Sequence, residues 1–188
     1  FARDRALLSV MSLAMAMIVI ANAINVFGVI YARDVLRAGP RDFGLLLSAL
    51  GLGAVVGFWL VGRYAHTAPR MWLIRASATA IGAGLIGMTA LTRVSEVLIG
   101  APLMGMAAAA FLVPAQTLVQ ERTPARLRGR TSGLAWSLLF ATQAIAAIGL
   151  GRLAAALTLP VLYRALGIGL LALTGLMTLY EWHRARSR

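Results

Sequence analysis

Six stretches of the chain carry no Asp, Glu or Arg: residues 6–32, 43–62, 76–92, 97–120, 131–151 and 165–180. A hydrocarbon layer of ~30 Å needs roughly 20 apolar residues of helix to cross it. Each stretch, with a few flanking residues, meets that length. The uncharged segment 153–163 would join the last two stretches, but Thr158-Leu159-Pro160 interrupts it. The pattern therefore predicts six helices, at about 7–31, 43–64, 71–92, 96–120, 130–157 and 161–182. Ala38-Gly39-Pro40 and Ala68-Pro69 mark turns. No linker or shift of composition divides residues 1–188, which read as one six-helix transmembrane domain of an all-α membrane protein.

Composition agrees and narrows the class. Apolar residues make up 60% of the 188 and charged ones 13%, while soluble proteins carry about 25% charge. Too few charges are present to cover so much apolar surface in water. With no cysteine, a disulfide scaffold and a thiolate metal site are excluded. The opening run of 27 uncharged residues exceeds the ~7–15 of a signal-peptide core. It reads as a span. The chain begins at Phe1 without Met, which suggests a piece of a longer polypeptide.

Charge decides the orientation. All 18 basic residues are arginine, against 6 acids. In a soluble protein that excess would suggest nucleic acid; between spans it fixes sidedness, and no nucleic-acid partner is expected. The side holding both termini and the second and fourth loops carries 12 arginines, and the other side 6. The richer side is expected to be cytoplasmic, in a multi-pass protein of the cell (inner) membrane. Trp59, Trp72, Trp136 and Trp182 fall near the same ends, where an amphipathic indole sits well.

Polar side chains within the spans are the candidates for function. Met11, Met15, Ile18, Asn22, Asn25 and Val29 share one face of the first helix. Thioethers and amides on one stripe would suit a cavity for a bulky, weakly polar molecule. Equally, the Asn side chains could bond to a neighbouring helix and the Met side chains fill gaps. Gln116 and Gln120 lie four residues apart in the fourth helix, with Gln120 near enough to the cytoplasm to be simply solvated, and Gln143 stands alone in the fifth, where a bond to a neighbouring helix is the default. Arg152 either reaches outward to the interface or faces water in a cavity. Gly53 and Gly57 have GxxxG spacing, which permits close helix approach. Pro102 and Pro114 fall inside the fourth helix, where neighbours must re-satisfy the freed carbonyls.

The acids avoid the membrane interior. Asp34, Asp42 and Glu96 are expected on the outer side, and Asp4, Glu121 and Glu181 on the inner side. A proton carrier needs a titratable group at depth, so any such group is expected outside these helices. The chain lacks HExxH, a cysteine nucleophile, a carboxylate pair and a Walker loop. No enzyme activity, cofactor or metal is expected.

Two loops carry a resemblance. Gly62-Arg63-Tyr64-Ala65-His66-Thr67-Ala68-Pro69-Arg70 resembles the loop signature G-x-x-x-D-R/K-x-G-R/K-R/K of the major facilitator superfamily. Gly62 and Arg70 match; His66 stands where the acid would be, with Thr67, Pro69 and Met71 at other departures. Val113-Pro114-Ala115-Gln116, Gln120-Glu121-Arg122-Thr123-Pro124 and Arg128-Gly129-Arg130 resemble the passage between helices ten and eleven of the same superfamily. Tyr31-Ala32-Arg33-Asp34-Val35-Leu36 with Gly44-Leu45-Leu46 and Gly51-Leu52-Gly53 is similar to the helix seven to eight passage of its macrolide, siderophore and drug exporters. The resemblance spans about residues 6–182 and fits helices seven to twelve.

That resemblance implies the carboxy-terminal half of a secondary active transporter, working by alternating access. Proton-coupled efflux of small amphipathic compounds is the leading expectation. Import of a metabolite and a non-transporting scaffold are the alternatives. A substrate cavity would be lined by Asn22, Asn25, Met15, Gln116, Gln143 and Arg152. Gate loops would hold Gly62, Arg63, His66, Arg70, Glu121, Arg122, Arg128, Gly129 and Arg130. The expected partners are a small-molecule substrate, protons, membrane lipid, and an amino-terminal six-helix half or a second copy.

Overall fold

The structure, a computed structural model, describes residues 5–64, 69–121 and 128–186, with side chains from Ser9 to Tyr180 except at 128 and 155. Among the described residues there are six long helices and no strand: α1 (Arg5–Ile30), α2 (Pro40–Tyr64), α3 (Arg70–Met88), α4 (Val94–Glu121), α5 (Arg128–Ala156) and α6 (Leu159–Arg186). All six are long and apolar enough to cross a membrane. The chain is a multi-pass membrane protein with the six-helix architecture that its charge-free stretches predict.

α6 runs to Arg186, four residues past the predicted 182, and two further helix ends differ from expectation. α1 runs on past Ile30 through a wide π turn, Tyr31–Val35, so Arg33 and Asp34 sit on helical backbone. Their side chains are exposed and face one another at 3.7 Å, which leaves both charges solvated. The turn ends at Arg37, whose φ of 52° stops the helix. Pro40 then opens α2 at a first-turn position, where its missing N–H costs nothing. The Asp42 carboxylate accepts a hydrogen bond from the Gly39 N–H at 3.1 Å. At the other deviant end, α3 stops at Met88, four residues short of the predicted 92. Thr89 turns its hydroxyl back to the Ile86 carbonyl, competing with helix continuation.

Packing follows an internal symmetry. α4 lies against α2 and α3, α1 lies against α5 and α6, and α3 meets α6. Exchanging the first three helices for the last three maps the two α4 pairs onto the two α1 pairs and the α3–α6 pair onto itself, as an inverted three-helix repeat does. The two sides of the repeat are unequally tight. The α2–α4 seam is the closest: a Cβ at Gly57 would lie 2.8 Å from the Met106 Cα, and one at Gly53 would overlap the backbone of Pro102. Gly105 faces Leu50 and Ala54 across the same seam in the same way. The GxxxG pair is thus helix-packing surface. Gly82 and Gly167 meet between α3 and α6. α1 is more loosely held, and α5 is the least buried helix of the bundle.

The core concentrates at α1, α3 and α6. Tyr31 and Tyr163, both fully buried, meet edge to face with ring centroids 5.2 Å apart. The Tyr31 hydroxyl donates to the Met88 carbonyl and the Tyr163 hydroxyl to the Ala23 carbonyl, each at 3.2 Å. Buried phenols need such partners. At the opposite end the Ser12 hydroxyl reaches the Met177 sulfur at 3.9 Å. That contact sets the beginning of α1 beside the final turns of α6, so both helices have their terminal segments at one end of the bundle.

Candidate functional site

A partly open cavity of about 290 Å³ lies between α1, α4 and α5. It is bounded by residues 10–21 of α1, 108–120 of α4 and 132–139 of α5, which places it in the half of the bundle nearer the terminal segments. α4 packs closely against α2 through the glycine seam and only lightly against α1 and α5, the two helices that share the cavity with it.

The walls are apolar and adaptable. Met11, Met17 and Ile18 come from α1 and Phe111 from α4. Trp136 of α5 completes the wall, its ring 5.9 Å from that of Phe140 one turn on. The polar groups are few. Gln116 and Gln120 both line the cavity from successive turns of α4, and Ser132 lies on the facing helix. Among the described residues no acid and no arginine lines it.

Of the six residues the sequence offers for a cavity, Gln116 lines this one and the other five do not. The Asn22 amide is buried and donates to the Gln143 carbonyl at 2.9 Å, joining α1 to α5. Asn25 turns back on its own helix, donating to the Ala21 carbonyl at 2.8 Å. The Gln143 side chain and Arg152 are exposed, and Met15 is half-buried. Met11 and Ile18, from the same predicted stripe, do line the cavity. The stripe is therefore split, its first part facing the cavity and Asn22 facing α5. Phe111 and Trp136 gave no signal beyond their size, and Trp136 read as an interfacial anchor. The i, i+4 spacing of Gln116 and Gln120 was the one usable sign of this wall.

At the same end of the bundle, Arg70 at the start of α3 forms an ion pair with Glu121 at the end of α4. Two gate-loop candidates, 51 residues apart, are thereby brought together. Both are substantially exposed. Gly62 and Arg63 end α2 in the open, with the Arg63 guanidinium 5.9 Å from the Tyr64 ring centre. Gly129 and Arg130 are exposed in the first turn of α5. His66 and Arg122 lie outside the described residues, as does the Arg128 side chain. Among the described residues no group of His, Cys, Asp or Glu could hold a metal ion.

The Major Facilitator Superfamily model matches residues 1–147, and the chain belongs to that superfamily, whose members are transporters. A search of curated proteins finds no match.

Proposed function

We propose that this six-helix unit is the carboxy-terminal half of a proton-coupled transporter that exports small amphipathic compounds by alternating access. The observation that carries the reading is the weakly polar cavity between α1, α4 and α5. A cavity that accepts apolar surface and offers a few hydrogen bonds suits molecules that already partition into lipid. The Arg70–Glu121 pair stands at the end of the bundle where an inner gate would close. The excess of arginine there, 12 against 6, makes it the cytoplasmic end, with both termini inside.

On this reading the substrate enters from the cytoplasmic side. Rocking against a second six-helix bundle, the amino-terminal half or another copy, closes the inner mouth. Among the described residues no acid lines the cavity, and on this reading the proton carrier belongs to that second bundle. The test uses inside-out vesicles containing the full protein and Nile red, an uncharged amphipathic dye. An acid lumen should drive dye accumulation, and a protonophore should abolish it. Accumulation indifferent to the gradient, or none above protein-free vesicles, would refute proton-coupled export.

A further inference from the structure

The cavity also carries information about what it admits. Its polar equipment is two carboxamides one helical turn apart, Gln116 and Gln120. Each amide offers one acceptor and two donors on a short, neutral arm. Among the described residues neither side chain has a hydrogen-bond partner, whereas the Thr117 hydroxyl between them is satisfied by the Val113 carbonyl at 2.8 Å. Trp136 and Phe111 supply flat apolar surface beside these amides.

Charge is excluded on two counts. Among the described residues no ionised side chain lines the cavity. The acid nearest to it in sequence, Glu121, follows directly on Gln120 but is engaged by Arg70. Among the described residues, a cation entering would therefore find indole and phenyl faces but no free counter-ion, and an anion would find no arginine. Removing an ion from water without a partner is costly.

We propose that the α1–α4–α5 cavity selects an uncharged, ring-bearing molecule with a hydrogen-bond donor and acceptor along one edge, held by Gln116 and Gln120 with Trp136 against its face. The proposal rests on the transporter reading for its biological use, but its test does not. Both amides are exposed within the partly open cavity, and a molecule that seats there displaces the solvent around them. A site built to hydrogen-bond rejects an analogue that lacks the matching groups, because its own polar groups then stay unpaired.

The probes are four bicyclic molecules of similar size. Quinolin-2-one is neutral with N–H and C=O on one edge, and 2-methylnaphthalene is neutral without them. N-methylquinolinium is the cation and 2-naphthoate the anion. Binding to the full protein in nanodiscs is read as quenching of tryptophan emission. Quinolin-2-one should bind saturably and at least about tenfold more tightly than either ion. Most of its quenching should vanish in Trp136→Phe. Gln116→Leu and Gln120→Leu should each weaken it about fivefold, the size of one neutral hydrogen bond, and leave 2-methylnaphthalene unchanged. Gln120→Glu should introduce N-methylquinolinium binding, a gain that a misfolded variant could not produce.

Equal binding of the ions and the lactam would overturn the proposal. So would lactam binding indifferent to both Gln→Leu changes, or no saturable lactam binding. Lactam selectivity without gradient-driven movement of either Nile red or quinolin-2-one into the same vesicles would refute the transporter reading and leave the cavity assignment standing. Dye transport without lactam selectivity would do the reverse.

Discussion

Arg70 and Glu121 show how much a single contact can be asked to do. Both side chains are substantially exposed, and exposed ion pairs contribute about 0.2–1 kcal/mol. At that size the pair does not hold the bundle together. Its effect is to set the start of α3 against the end of α4. Arg70→Ala should therefore slow transport several-fold while insertion and thermal midpoint stay near wild type. The double exchange Arg70→Glu with Glu121→Arg should restore most of the rate, because the pair is re-formed with reversed polarity. Transport assays in proteoliposomes decide it: unchanged single variants would remove the pair from the gate. The two residues were separately legible as loop charges in the sequence. Their pairing was not, since a loop signature says nothing about which helix end lies opposite. Asn22 and Asn25 teach the same lesson at closer range. Both are amides of one helix face, yet one bonds to α5 and the other to its own helix. Hydropathy registers the cost of a polar group in lipid but not the partner that meets it.

Helix number and approximate ends were readable because a charge in the hydrocarbon layer is expensive wherever it falls. Where reading failed, the cause was local. Arg33 and Asp34 suggested an end to α1, but near the interface both side chains reach solvent from a helical backbone. Helix faces were less legible, since these helices are apolar all round and burial depends on neighbours. The glycines separate what spacing alone could not. A Cβ at Gly51 meets nothing within 4 Å, but one at Gly53 would overlap the backbone of α4 at Pro102. Gly51→Ala should be neutral or stabilise by up to about 1 kcal/mol through helix propensity. Gly53→Ala should lower stability by about 1–3 kcal/mol, because backbone must shift to make room. Unfolding in mixed detergent micelles measures both. Equal behaviour of the two variants would mean that the α2–α4 seam does not depend on backbone approach.

For the whole molecule the least buried helix is the informative one. α5 leaves Leu134, Phe140, Ile145 and Ile148 exposed, and α6 leaves Leu176 exposed. Lipid could cover either helix, but a second bundle resting on α5 would cover only the first. The chain contains no cysteine, so an introduced thiol gives an unambiguous signal. In the assembled protein, Ile145→Cys should react at least about fivefold more slowly than Leu176→Cys with membrane-soluble pyrenylmaleimide. Similar rates would place α5 against lipid and remove the proposed bundle partner from that face.

The glycine seam has a further consequence in time. α2 ends at Tyr64 and its partner α4 ends at Glu121, 57 residues later. At roughly 5–20 residues per second of synthesis, about 3–11 s separate the two helices. Throughout that interval the groove made by Gly53 and Gly57 faces lipid or the insertion machinery instead of the helix it fits. The seam that holds the finished bundle most tightly thus still waits for α4, although it closes before the contacts of α1 with α5 and α6 and of α3 with α6, and a half-made protein displays an open docking groove until α4 arrives.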